Sequence, residues 1–376
     1  MNLIIDGHAF LNVSINVTKS AVERDLRVGK QYWIHNLLED RDTLKEHAKV
    51  YFKNFIFTYL GSLINTIGSP LEGVHFVLDS KSWRRQYIVD YFKNNEFKTD
   101  SAPLDFKYKD NRNHENNHYL FFEYFEEILL TLLINECNLN FYKVEGAEGD
   151  DWVAYLCETL KSDIFIYTVD QDIKQLVHSM DKNIAILMPK QQSKNKKVIV
   201  SKWSPVKPIE EDSFFSIDAS HISSKFSSVV SSFENKSYSR FEIDPNYEVL
   251  NKILLGDKSD SIPRLLKMTQ SKFDKIFEVV SQKIDPTQII NRIDSQDSEL
   301  IDALIEELCK TFKILNLDDQ VELREHLFFN ISIIRLNSIF FPSEVRDALN
   351  DKFATVNPKK FKLKDFNQLK SNTYNI

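Results

Sequence analysis

Apolar and polar positions along the chain follow two alternating rhythms. Leu3–Ile5, Val74–Leu78, Phe141–Val144 and Ile164–Val169 are short runs rich in β-branched or aromatic residues, each ending at or just before an acidic or turn residue. A fifth run, Ile184–Met188, stops at Pro189. Runs of this length and composition predict buried strands. Between them apolar residues recur at helical spacing: Phe52, Phe55, Ile56, Tyr59 and Leu63 form one stripe, and Phe121, Phe125, Ile128, Leu129 and Leu132 another. Strands alternating with helices predict an α/β fold, a mostly parallel central sheet flanked by helices, with functional groups collecting at the carboxyl ends of its strands. This core spans residues 1–205, and a region at about 81–118 follows its second strand. Beyond Trp203 the rhythm breaks: residues 213–239 hold eleven serines in 27 positions, which predicts an irregular insertion over 206–244. After Asp244-Pro245 helical periodicity returns almost to the C-terminus, predicting an all-helical part over 245–376.

Composition narrows the class. A chain of 376 residues with 42% hydrophobic and 27% charged residues is that of a folded protein, which excludes disorder, collagen and a disulfide scaffold. Cys137, Cys157 and Cys309 are odd in number and lack any CxxC or CxxH spacing, so a reducing compartment, the cytoplasm, is expected and zinc is not. No signal peptide is expected before Leu3-Ile4-Ile5. The most apolar helix candidate, Tyr119 to Ile134, carries Glu123, Glu126 and Glu127 and is too short for a bilayer, so no membrane partner is expected. A net charge of -7 by itself argues against a nucleic-acid partner, because phosphate binding needs a positive footprint.

The acids are not scattered. Asp6 closes the first predicted strand and Asp79 the second. The third leads into Glu145-Gly146-Ala147-Glu148-Gly149-Asp150-Asp151 at the start of a helix predicted over Trp152 to Leu160, and the fourth ends in Asp170-Gln171-Asp172. Gly256-Asp257-Lys258-Ser259-Asp260 comes far downstream, and the three-residue spacing of Asp257 and Asp260 puts them on one helical turn. Any one of these motifs has an ordinary reading as a helix N-cap or turn. Five of them at strand ends and helix starts of one α/β pattern point instead to a shared site. Converging carboxylates repel and need cations, and oxygen ligands with almost no His or Cys select Mg²⁺ or Mn²⁺. Two such ions are the arrangement used for in-line phosphodiester hydrolysis.

The order Asp6, Val77-Leu78-Asp79, Glu148-Gly149-Asp150-Asp151, Asp170-Gln171-Asp172 and Gly256-Asp257-Lys258-Ser259-Asp260 resembles the metal-binding series of the flap endonuclease superfamily of 5′ nucleases. With Trp83-Arg84-Arg85 it is most similar to the ribonuclease H group of T-even phages and to phage 5′-3′ exonucleases. The likeness covers roughly residues 1 to 265. It implies a PIN-like core with an arch over about 81–118 and a divergent helix-two-turn-helix-like region in the helical part. Asp6, Asp79, Glu148, Asp150 and Asp170 would then hold the tighter ion, and Asp151, Asp172, Asp257 and Asp260 the second. Tyr108-Lys109-Asp110-Asn111-Arg112 resembles the arch motif of these nucleases, which gives Lys109 and Arg112 the scissile phosphate and Tyr108 a terminal base. Arg84 and Arg85 become nucleic-acid contacts. The implied substrates are branched or nicked duplex DNA and RNA·DNA hybrids with a 5′ end or flap. A monomer is implied, with a single-strand-binding protein or clamp as replication partners. No glycine follows Gly256, which counts against the family's backbone phosphate grip and its potassium site.

Basic residues segregate from the acids. Residues 81–112 carry eight Lys or Arg against five acids and interleave them with Trp83, Tyr87, Tyr91, Phe92, Phe97, Phe106 and Tyr108, as an arch over single strands or a buried aromatic face would. Residues 182–207 carry seven Lys and no acid, with Lys194, Lys196 and Lys197 either tracking duplex phosphates or forming a hairpin tip. Of the 55 acids, the 46 outside the proposed site face 48 bases, so the objection from net charge falls away. A PIN-type ribonuclease, with a smaller acid set, and an inactive nucleic-acid-binding replication protein remain as alternatives.

Overall fold

A computed structural model describes residues 1–26, 42–94, 119–178, 182–189, 195–201, 220–257, 260, 262 and 264–373. Tyr108, Lys109, Arg112 and Lys194 lie outside the described residues, as does most of the expected arch. The centre is a seven-stranded sheet of β1 (Asn2–Asp6), β2 (Gly73–Val77), β3 (Asn140–Tyr142), β4 (Ile164–Tyr167), β5 (Ile184–Met188), β6 (Lys196–Ser201) and β7 (Tyr238–Ile243). Their spatial order is β3-β2-β1-β4-β5-β6-β7. The first five are parallel, β6 runs antiparallel to β5, and β7 is parallel to β6.

Both faces of the sheet are covered, which is why its strands read as unbroken apolar runs. Leu3, Ile5, Val74, Phe76, Phe165 and Tyr167 point to one face. There they meet Phe10 and Ile15 of the helix Gly7–Leu26, Phe52, Ile56 and Leu60 of Asp42–Ile67, and Phe366 of Leu363–Thr373. Ile4, Val77, Ile164 and Ile166 point to the other, against Trp152, Val153 and Leu156 of the helix Gly149–Thr159 and Val345 and Leu349 of Ser343–Val356. A separate core fills the helical part between Pro245 and Ile334. The expected mostly parallel sheet and helical C-terminal part are therefore present, but the last two helices return to pack on the sheet layers.

Three local expectations are revised. The serine-rich segment is regular where it is described, with a helix at Ser220–Glu234 and then β7 in the sheet. Phe226, Val229, Val230 and Phe233 recur at helical spacing and are buried, so the signal was present but diluted by serines with weak helix propensity. The segment Tyr119–Tyr124 continues through a π-helical turn, Phe125–Leu130, into Thr131–Cys137. The wider turn rotates Ile128 off its stripe, leaving it 52% exposed while Phe125 and Leu129 stay buried. Asp257 and Asp260 do not share a helical turn, because Pro245–Leu255 ends at Gly256 and a loop follows. Gly256 has φ 69° and ψ -177°, a region essentially restricted to glycine, so this residue type enforces the stop. Among the described residues no helix is long and apolar enough to cross a membrane.

Candidate metal centre

Strand order reverses about β1, whose neighbours are β2 on one side and β4 on the other. In open α/β sheets such a reversal point opens a crevice at the carboxyl ends of the strands. Asp6, last in β1, caps the next helix, with Oδ1 accepting the Ala9 N–H at 3.0 Å, while its Oδ2 accepts the Thr168 hydroxyl at 2.7 Å. The Thr168 hydroxyl oxygen accepts in turn from the Asp170 N–H at 3.0 Å. Asp79, two residues past β2, takes the Gly149 N–H on Oδ1 at 2.5 Å. Its own N–H faces His8 Nδ1 at 3.3 Å, and His8 packs against Phe122 with ring centroids 5.3 Å apart. Asp150 lies on the first turn of Gly149–Thr159, whose amino end favours negative charge.

Asp6 and Asp79 lie close enough to interact, at an electrostatic cost. Burial and then the nearby Asp79 carboxylate push the Asp6 pKa up to about 6, against hydrogen bonds from Ala9 and Thr168 that favour the anion. A group so raised is one that a cation would stabilise in its charged form, which fits a divalent ion held by carboxylate oxygens.

Asp172, Asp257 and Asp260 form a second group, with one ligand oxygen from each within 4.8 Å of the others, an arrangement that fits a divalent metal ion. Asp172 opens the 3₁₀ turn Asp172–Val177, and its N–H donates to Asp170 Oδ1 at 2.8 Å, which joins the two groups. Asp257 is fixed by a reciprocal backbone pair with Ile262, at 3.0 and 2.7 Å. Lys252, on the last turn of Pro245–Leu255, places its ammonium on both Asp172 and Asp257, 2.7 Å from Asp257 Oδ2.

Two expected site residues point elsewhere. Asp151, an expected ligand of the second ion, is fully buried: Oδ2 accepts the Trp83 indole N–H at 3.1 Å and the Glu148 N–H at 2.9 Å, and Oδ1 lies 2.7 Å from Arg84 Nη1. Arg84, expected on nucleic acid, is 2% exposed, pairs with Glu148 Oε2 at 3.1 Å as well, and donates to the Ile333 carbonyl. Glu148, an expected ligand of the first ion, thus joins this internal ion cluster, and its side chain also accepts the Asp151 N–H as the helix cap. The neighbouring aromatics also pack inward. Tyr91 stacks on Phe329 at 4.0 Å and Tyr87 lies parallel to the same ring at 6.2 Å, so these half-buried tyrosines pack against the helical part, and Trp83 is buried. Arg85 is exposed. Lys196 and Lys197 follow the β5–β6 reversal, at the edge of the sheet that carries the crevice. There Lys196 lies over the Tyr59 and Tyr238 rings and Lys197 over Phe241.

Thr168, His8 and Lys252 were not singled out in the sequence. Thr168 stands two residues before Asp170, so the alternation Thr168-x-Asp170-x-Asp172 could have found it. No spacing rule would have paired Lys252 with Asp172. Gly149 has a role that spacing alone does not reveal, since a Cβ there would sit 2.7 Å from Asp79 Oδ1. Gly149→Ala is expected to displace that carboxylate and weaken metal binding about 10–100-fold with little change in thermal midpoint. Calorimetric Mn²⁺ titration checks this, and wild-type affinity would show that Asp79 yields freely.

In the helical part, Pro245–Leu255 and Gln270–Lys283 are joined by a loop in which Leu266 takes φ 53°. A leucine holds a left-handed conformation here, where glycine would be unstrained.

No protein-family model matches the chain, and no curated protein matches it. Among solved structures, the T5 D15 protein co-crystallised with metal ions is similar at 11% identity and a TM-score of 0.43, over 95% of this chain and 100% of that one. A pseudo-enzyme-product complex of the bacteriophage T5 D15 flap endonuclease with DNA and metal ions is similar at 11% identity and a TM-score of 0.46, over 95% and 98%.

Proposed function

We propose that this chain is a divalent-metal-dependent 5′ nuclease that hydrolyses phosphodiester bonds at 5′ ends or flaps of DNA and RNA·DNA hybrids, as in removal of RNA primers and flaps during replication. The observation that carries this reading is the group Asp172, Asp257 and Asp260, linked through the Asp172 N–H to Asp170 and from there through Thr168 to Asp6, beside Asp79, at the reversal point of the sheet. Asp6, Asp79, Glu148, Asp150 and Asp170 would hold one Mg²⁺ or Mn²⁺. Asp172, Asp257 and Asp260 would hold another. Bound there, the cations supply the charge that activates water and stabilises the leaving oxygen in phosphodiester hydrolysis.

The remaining residues prepare this site. Thr168 and the Gly149 amide orient Asp6 and Asp79 before any ion binds, which lowers the cost of assembling the ligands. Arg84 neutralises Asp151, so that residue serves the framework and not an ion. Arg85, Lys196 and Lys197 would meet phosphate, and Lys109, Arg112 and Tyr108 keep the roles implied by the arch motif. Cleavage of 5′-labelled flap, nicked and RNA-primed duplexes with Mg²⁺ tests the reading. Short 5′ products that vanish with EDTA are expected. Release from 3′ ends, preference for structured RNA, or no metal-dependent cleavage at all would overturn it.

A further inference from the structure

The second carboxylate group contains its own cation. Lys252 reaches from the helical part across to Asp172 of the core and touches Asp257 on the way. It is 22% exposed on its side chain, so water screens it only in part. A divalent ion of the Mg²⁺ class needs carboxylate oxygens at about 2.0–2.1 Å, whereas a lysine ammonium occupies the same oxygens as a hydrogen-bond donor. The two cannot use Asp172 and Asp257 in the same way at once.

We propose that Lys252 is a stand-in cation for the Asp172–Asp257–Asp260 group. It holds Asp172 and Asp257 together beside Asp260 while the protein is metal-free, and it must leave both when an ion enters. This rests on the reading of the group as a metal site. The ion pairs lost by Lys252 subtract from the binding energy of the incoming ion, so this site is the weaker of the two by design of the chain and not by its ligand count. The lysine also bridges core and helical part, so ion entry replaces one tie between them with another.

Mn²⁺ binding, followed by the electron paramagnetic resonance of the free ion, separates the possibilities. Wild-type protein is expected to bind in a tighter and a weaker class, the weaker one lost in Asp260→Asn. Lys252→Met, which keeps the length but not the charge, should tighten the weaker class about tenfold, the equivalent of about 1.4 kcal/mol, and leave the tighter class unchanged. Lys252→Arg should keep the weaker class near wild type. An unchanged or weakened second class in Lys252→Met overturns the proposal and leaves the metal reading standing. Absence of Mn²⁺ binding in wild type overturns both. A second measurement uses wild-type protein alone: acetylation of Lys252 by an amine reagent, read by mass spectrometry, should rise severalfold when Mn²⁺ is added. Labelling that does not respond to saturating Mn²⁺ also overturns the proposal.

Discussion

Arg84→Met is expected to lower the stability of the folded protein by about 3–5 kcal/mol. The guanidinium lies between Glu148 and Asp151, both buried, and is itself buried against Trp83 with its centre 4.6 Å from the ring. Removing it leaves two carboxylates facing each other without a cation, and burial already pushes the Asp151 pKa up despite Arg84. The cost is of the kind that follows when one partner of an internal ion cluster is deleted. The Ile333 carbonyl also loses its donor, so the helical part loosens from the core. Urea denaturation followed by circular dichroism measures the loss, and a change below about 1 kcal/mol would place the cluster outside the buried-pair regime. Partial recovery is expected in the double variant Arg84→Met/Asp151→Asn, because the second change removes one of the stranded charges.

Asp6→Asn should have opposite effects on activity and on stability. Loss of a ligand oxygen at the centre of the crevice is expected to reduce cleavage by roughly a thousandfold or more, the scale on which preorganised electrostatic groups act. The metal-free variant should nevertheless be more stable than wild type at pH 8, by about 1–3 kcal/mol. The sign follows from the raised pKa. Asp6 titrates near 6 in the folded chain against 3.8 as its ordinary value, so between these limits the folded state binds more protons than the unfolded one. Metal-free wild type therefore gains stability as pH falls from above 6 towards 4, and Asp6→Asn should lack that part of the slope. Asparagine preserves the shape: its carbonyl oxygen can still cap Ala9, while its amide N–H replaces the acceptor at Thr168, whose hydroxyl must then accept instead of donate. Thermal melts at several pH values, with and without Mg²⁺, check the pattern. A variant less stable than wild type in the absence of metal would show that the Asp6 charge is not held under strain.

Much of the site was legible because it obeys local rules. Acids at the ends of β1, β2 and β4 follow from the strand rhythm, since a parallel sheet exposes those ends at its crevice. Glu148 and Asp150 at a helix start follow from the glycines and the apolar stripe beside them. Burial on both faces of the sheet was likewise written in unbroken runs such as Ile184–Met188.

Other assignments depended on which elements meet. Arg84 and Asp151 are 67 positions apart in the numbering, and nothing in Trp83-Arg84-Arg85 distinguishes the arginine that turns inward from the exposed Arg85. The packing of Trp83–Asn94 against Gly149–Thr159 on one side and Leu317–Ile334 on the other decides it. Lys252 reads as an ordinary helix-surface lysine until Pro245–Leu255 is docked beside the turn that begins at Asp172. By itself the sequence determined the five parallel strands, the strand-end acids and the helical C-terminal part, because backbone geometry converts burial into periodicity. Only the tertiary structure decided which charges face the crevice and which neutralise one another inside, because that depends on contacts between residues for which sequence spacing carries no information.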